Sequence, residues 1–130
     1  MSTFRQLDPF TMLSPVPAVM VSCRDTAPDA KHNIITIAWA GTVNSDPPMV
    51  SVSVRKNRFS HHIIKESGEF VINLTSKSLT KAADFCGMRT GRKVDKFEKC
   101  RLTAEKSFKV SAPSIAESPL TLECKLREII

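Results

Sequence analysis

The segment from Ser53 to Ser60 (SVRKNRFS) holds the residue types that bind phosphate groups. Arg55 and Arg58 each offer a planar guanidinium fork that matches phosphate oxygens. Ser60 is a good N-cap for the helix-forming stretch that follows, and the first turn of a helix leaves backbone N–H groups without internal partners. The segment therefore predicts a phosphate-binding corner between a strand and a helix. A capped helix flanked by solvated arginines fits the same residues, and spacing alone leaves both interpretations open.

A second candidate segment runs from Asn33 to Thr42 and contains the single tryptophan, Trp39. It also contains a hydroxyl at Thr36 and small residues such as Ala38. Small residues permit a flat ligand to approach the backbone closely, and the Trp39 ring could lie along such a ligand. A core tryptophan with structural threonines explains the same pattern.

The third candidate is the loop from Cys86 to Phe97, where Gly87 and Gly91 provide flexibility after a predicted helix. Its cations, Lys96 among them, could close over an anionic ligand, although a solvated basic loop is the common alternative. Cys86 is placed at a helix C-terminus, which lacks the positive dipole end that favours a thiolate. We therefore expect no catalytic thiol there.

The distribution of charge supports an anionic ligand. The net charge is +6, and the basic excess lies in two short segments, residues 55–65 and 89–101. A concentrated positive field attracts a phosphorylated small molecule, a nucleic acid or an anionic surface. The chain has seven Phe, one Trp and no Tyr. Few aromatic side chains are therefore available to stack on the bases of a nucleic acid. Nucleic acid is therefore the weakest of these candidates.

Length and composition indicate one globular domain over residues 1–130 with a core of its own. No apolar run has the length of a membrane span, and the N-terminus lacks the pattern of a signal peptide, so we expect a cytoplasmic protein without a membrane partner. The four cysteines lack zinc spacing, and the adjacent His61 and His62 point in different directions on a helix. We expect no metal site and identify no catalytic acid–base residue.

Hydrophobic periodicity predicts an all-β fold with a few short helices. Short connections between strands favour an antiparallel sheet or barrel. One helix is expected from an N-cap at Ser60 to Gly68, a second after an N-cap at Ser78, and a helical turn over residues 95–99. The predicted strands cover residues 15–23, 34–40, 49–54, 69–74 and 119–130, with 34–40 and 49–54 expected to pair.

Three motifs in this order resemble a known family. They are NIITIAWAGTVNSDPPMVSVSVR (33–55), RFSxxIIKESGEFVINL (58–74) and DFCGxxxGRxVDKF (84–97). The chain from about residue 13 onward is similar to flavin reductase-like proteins with an FMN-binding split barrel, and within them to the flavoredoxin branch. The resemblance implies an antiparallel split barrel that binds FMN near a homodimer interface.

The resemblance also assigns roles to residues. It implies that Arg55, Arg58 and Ser60 hold the phosphate. It implies that the isoalloxazine and ribityl groups lie against Asn33, Thr36, Ala38 and Trp39, with Ser53 and Val54 beside them. The basic loop would contribute Cys86, Gly87 and Lys96.

The function implied is an FMN-dependent oxidoreductase that moves hydride or electrons from NAD(P)H or a redox protein to an acceptor. A non-catalytic FMN carrier or sensor shares every binding feature. Relatives usually continue past a segment like 120–130 with at least one more strand. We therefore expect either a missing C-terminal strand or a partner subunit that covers the exposed edge.

Overall fold

The computed structural model describes residues 3–130. In this range it has eight strands, three α-helices and a 3₁₀ helix at Lys77–Leu79. The helices are α1 (Phe59–Ser67), α2 (Thr80–Met88) and α3 (Lys96–Lys99). The strands are β1 (Val19–Arg24), β2 (His32–Ile37), β3 (Ala40–Ser45), β4 (Pro48–Val52), β5 (Glu69–Leu74), β6 (Ala104–Glu105), β7 (Ser114–Ile115) and β8 (Thr121–Lys125).

The strands form a four-stranded sheet of order β2-β1-β5-β8 and two hairpins, β3-β4 and β6-β7. Every pairing among these strands is antiparallel. The predicted β-rich antiparallel architecture with short helices is confirmed. The predicted pairing of 34–40 with 49–54 is wrong, because β2 pairs with β1 and a separate strand, β3, pairs with β4. The sequence gives no sign that β2 ends at Ile37 and β3 begins at Ala40, because the apolar run IITIAWA continues without interruption through the link between them.

Strand β1 is the centre of the core because both of its faces are buried. Val19, Val21 and Cys23 alternate along one face and pack in a cluster with Ile63 of α1. Met20 lies on the other face in a cluster with residues of α2 and α3. This is the period of two expected for a strand covered on both sides. The sheet therefore fixes α1 on one side and the α2–α3 region on the other.

Helix boundaries differ from the sequence expectation at two N-termini. Helix α1 begins at Phe59 with Arg58 as its N-cap, so the predicted N-cap at Ser60 is wrong. The predicted N-cap at Ser78 is also wrong, because that residue lies inside the 3₁₀ helix. Gly68 ends α1 in the left-handed conformation at φ 69°, as predicted. Among the helices of residues 3–130, none combines the length and apolarity needed to cross a bilayer.

Candidate functional site

A cleft of about 260 Å³ opens between β2, the start of α1 and the loop after α2. None of the side chains that line it within residues 3–130 is acidic. The fold brings together segments that are far apart in sequence, and five of the predicted site residues meet here. They are Asn33, Arg58, Cys86, Gly87 and Lys96.

The back of the cleft contains a buried amide–hydroxyl pair. Asn33 Nδ2 donates a hydrogen bond of 2.8 Å to Ser60 Oγ. Asn33 is only 2% exposed and Ser60 is fully buried. Ser60 therefore lies behind the cleft in the core, where its side chain orients Asn33. A buried polar group without such a partner would cost about 1–3 kcal/mol, so this pair is held firmly.

Lys96 is a second fixed element of the back wall, although a lysine is rarely buried. It is 3% exposed. Its ammonium donates to the carbonyl oxygens of Ile34 at 2.6 Å and Cys86 at 2.8 Å. Burial lowers the pKa of Lys96 from 10.5. The amine thus joins β2, α2 and α3 at the point where they surround the cleft.

The rim of the cleft is cationic and exposed. Arg58, Arg89, Arg92 and Lys93 are all exposed residues that line it. Arg92 Nη1 donates to the carbonyl oxygen of Asn57 at 3.3 Å, and its guanidinium lies 5.3 Å from the centre of the Phe59 ring. Such long contacts at exposed sites hold a side chain weakly.

Two glycines let the loop after α2 pack directly on the cleft wall. A Cβ on Gly91 would lie 2.2 Å from Asn33 Oδ1 and 2.6 Å from Phe59 Cδ1. A Cβ on Gly87 would lie 3.3 Å from Thr36 Cβ, which is a tight contact. Sequence reasoning treats Gly91 only as a flexible residue and misses both this packing and the role of Phe59. In the sequence, only the repeated glycines of CGMRTG indicate that this loop packs closely on the cleft wall.

The start of α1 is open to an anion. Its N-cap, Arg58, makes no side-chain capping bond, and the first turn contains no acidic residue. Backbone N–H groups in a first turn carry partial positive charge and need external acceptors. An arginine beside such groups forms a suitable site for phosphate oxygens.

The other seven predicted residues, Ser60 among them, lie outside the cleft lining. Thr36 lies beneath it, with its hydroxyl donating to the carbonyl oxygen of Ala83. Trp39 is 51% exposed, so it is not the core tryptophan that composition also allowed. The Ser53 N–H donates to the Trp39 carbonyl oxygen at 2.9 Å, which joins the two predicted segments. Ala38 and Arg55 are exposed, and Val54 packs against the core. The ligand contacts assigned to all twelve residues stay predictions.

Cys86 lies in the wall as a thiol. Burial raises its pKa to about 12, aided by the neighbouring Cys100. Burial likewise raises the pKa of Cys23 to about 11. At neutral pH both side chains are therefore protonated thiols.

The antiparallel four-stranded sheet, the β3-β4 hairpin and the cationic cleft fit a flavin reductase-like domain. The chain belongs to this family, whose flavin reductase like domain matches residues 11–130. It is similar to the flavoredoxin of Desulfovibrio vulgaris (Miyazaki F), at 34% identity and a TM-score of 0.92 over 98% of this chain and 69% of that chain. For the flavoredoxin from Methanosarcina acetivorans the identity is 28% and the TM-score 0.87, over 98% of this chain and 66% of that chain.

An uncharacterized protein of Archaeoglobus fulgidus is 36% identical over 96 residues, which are 74% of this chain and 54% of that protein. The chain spans about half the length of the curated relatives it matches. The predicted family and split-barrel fold are confirmed.

Proposed function

We propose that this chain binds FMN in the cleft and belongs to an oxidoreductase that moves hydride or electrons between NAD(P)H or a redox protein and an acceptor. The observation that carries the proposal is the acid-free cleft at the uncapped start of α1, backed by the buried ammonium of Lys96. Family membership and the likeness to two flavoredoxins support the same ligand.

The residues present fit the chemical parts of FMN. A phosphate needs cations and N–H donors, and Arg58 with the first turn of α1 offers both. Arg55 is close by, since its carbonyl oxygen accepts from the Arg58 N–H at 3.0 Å. A planar ring system needs amide, hydroxyl and aromatic neighbours, and we assign these to Asn33, Thr36 and Trp39. Ser60, being buried, supports the site by holding Asn33.

Bound FMN would supply the redox chemistry, and the protein supplies binding, orientation and electrostatics. Lys96 uses two of its three donors on protein carbonyls, and we assign the third N–H to the ligand. A fixed cation that faces the cleft stabilises negative charge on a bound group. The rim cations attract an anionic cofactor or cosubstrate from solution.

Replacing Arg58 tests the phosphate assignment. We expect Arg58→Gln to weaken FMN binding at least about ten-fold, which corresponds to roughly 1.4 kcal/mol. Fluorescence titration of FMN into the stripped protein measures the affinity. Lys65→Gln is the control, because it removes the same charge from the other end of α1. An Arg58 variant that binds FMN as tightly as the Lys65 variant would remove the phosphate from this position.

Anaerobic mixing of the FMN-loaded protein with NADH and with NADPH tests the activity. Bleaching of the flavin absorbance at a useful rate supports a reductase that accepts nicotinamide hydride. A protein that holds FMN and is bleached by neither nicotinamide, but only by a reduced redox protein, supports electron transfer. Stable FMN that neither donor reduces would indicate a carrier or sensor.

We also propose that the chain acts as a homodimer. Several large apolar side chains in the segment before β1 are exposed, among them Leu7, Phe10 and Leu13. Strands β2 and β8 form the two edges of the four-stranded sheet. A second copy that covered these features would remove them from water. Light scattering coupled to size exclusion measures the mass, and a monomer at micromolar concentration contradicts the proposal.

A further inference from the structure

Two cysteines from different helices meet beside the cleft. The sulfur atoms of Cys86, in α2, and Cys100, the C-cap of α3, lie 3.9 Å apart. A disulfide bond is about 2.05 Å long, so the sulfurs must approach by roughly 1.9 Å to form one. Rotation of the two side chains, with a small shift at the end of the four-residue helix α3, would have to supply this movement.

The two thiols differ in how they meet solvent. Cys86 is fully buried, whereas Cys100 is only half-buried. Burial also raises the pKa of Cys86 to about 12, which keeps it protonated. We therefore expect a solute to react with Cys100 before Cys86, which lies beside it.

The other two cysteines cannot form an equivalent pair. Cys23 lies in β1 and Cys124 in β8, and β5 runs between these strands. Strands in a sheet are about 4.8 Å apart, so two steps separate the backbones by about 9–10 Å. This exceeds the reach of a disulfide, which requires Cα atoms within about 7 Å.

We propose that Cys100 and Cys86 form a peroxide-responsive dithiol in which Cys100 is oxidised first and Cys86 closes the disulfide. The Cys100 sulfur attacks one oxygen of hydrogen peroxide, the O–O bond breaks, and the second oxygen leaves as water with the thiol proton. The Cys86 sulfur then displaces the hydroxyl from Cys100, and that hydroxyl leaves as water with the Cys86 proton. Two thiols and one peroxide thus yield one disulfide and two waters.

The disulfide would join the two ends of the loop that forms part of the cleft. Gly87 and Lys96 both line the cleft and lie between Cys86 and Cys100 in sequence. Lys96 also bonds to the carbonyl oxygen of Cys86 itself. Oxidation would therefore restrain the residues that shape the site. The proposed chemistry needs no bound cofactor, so it is independent of the FMN assignment.

Peptide mapping after oxidation tests the proposal. The reduced full chain is treated with one equivalent of hydrogen peroxide, alkylated, and digested with trypsin without reductant. We expect peptide 82–89 linked to peptide 100–101, a mass deficit of two hydrogens in the whole chain, and recovery of both thiols with dithiothreitol. Cys124→Ser is the matched control, because it removes a half-buried cysteine elsewhere and should leave the link unchanged.

Variants separate the two roles. Cys100→Ser should lose the link and leave Cys86 reduced, because the buried thiol is not attacked. Cys86→Ala should lose the link and accumulate a sulfenic acid on Cys100 that dimedone traps; circular dichroism checks that this variant folds. Both thiols remaining alkylatable after peroxide, oxidation of Cys100 beyond the sulfenic acid without a link, or a link to Cys23 or Cys124 would overturn the proposal. If Cys86→Ala does not fold, the peptide maps of the wild type and of Cys100→Ser are sufficient to test the proposal.

Discussion

The back wall and the rim of the cleft both carry polar and cationic side chains. Those in the back wall are buried and hydrogen-bonded, whereas those on the rim are exposed. In the back wall, Asn33 and Lys96 are buried and make hydrogen bonds of 2.6 to 2.8 Å to Ser60 and to main-chain carbonyls. On the rim, Arg58 and Arg92 are exposed, and the Arg92 contact to Asn57 is long at 3.3 Å. A cation at the back is part of the fold, whereas a cation on the rim is free to respond to a ligand.

Because of this difference, the back wall should contribute mainly to folding stability and the rim mainly to the affinity for a ligand. Removing a group from the back wall leaves buried polar partners without bonds, and that cost falls on folding. Removing a group from the rim leaves only solvated neighbours, and that cost falls on binding of an anion. Substitutions at the two regions should therefore change different measurements.

Lys96→Met should have the largest effect on stability. The variant leaves the carbonyl oxygens of Ile34 and Cys86 without their donor, and we expect a loss of about 2 kcal/mol or more in the free energy of unfolding. Lys93→Met makes the same change on the exposed rim and should stay within about 0.5 kcal/mol of the wild type. Urea unfolding measures both. Equal stability of the two variants would mean that the buried ammonium does not hold the wall.

Gly91→Ala should have the next largest effect. Its Cβ would overlap the Asn33 amide, which cannot move without breaking the bond to Ser60, so we expect a loss of about 1–2 kcal/mol. FMN affinity should fall with it, because the loop must move off the wall. Gly41→Ala is the control, since a Cβ there meets nothing within 4 Å. Thermal unfolding and FMN titration of both variants measure the effect, and a Gly91 variant that matches Gly41→Ala refutes the close packing.

The pH dependence of stability distinguishes the buried amine from the rim. Burial lowers the pKa of Lys96, so the unfolded chain binds this proton more tightly. Stability from this group should therefore rise as pH increases from the lowered pKa toward 10.5. The buried thiols of Cys23 and Cys86 act in the opposite sense above pH 9.0, because folding raises their pKa values. The difference between wild type and Lys96→Met isolates the lysine, and a difference that does not change with pH contradicts its burial as a charged group.

Arg92→Gln should have the smallest effect on stability, within about 0.5 kcal/mol, because its contacts are exposed and long. Its effect should appear in binding, as about a three-fold weaker FMN affinity at low salt that fades at high salt. Arg127→Gln removes an exposed charge that does not line the cleft and is the control. A salt-independent loss of affinity would show that Arg92 acts through packing on Phe59 and not through charge.

Local patterns were enough to find much of the fold. The alternation of MVSVSV, the buried run around β1 and the glycine at position 68 each predict the element that forms there. Helix starts were harder, because Ser60 and Ser78 have good capping side chains but lie one or more residues inside helical turns. Ser60 instead accepts a hydrogen bond from the buried Asn33 of strand β2, and capping propensity contains no information about such a distant partner.

Sequence alone determined the β-rich antiparallel class, the family resemblance and five residues of the cleft, because periodicity, charge clusters and ordered motifs are local properties. Tertiary structure decided which strand pairs with which, and that Lys96 is buried while Trp39 is exposed. It also decided that Cys86 meets Cys100. These facts depend on contacts between segments distant in the chain, where packing and hydrogen-bond geometry outweigh the preferences of any single residue.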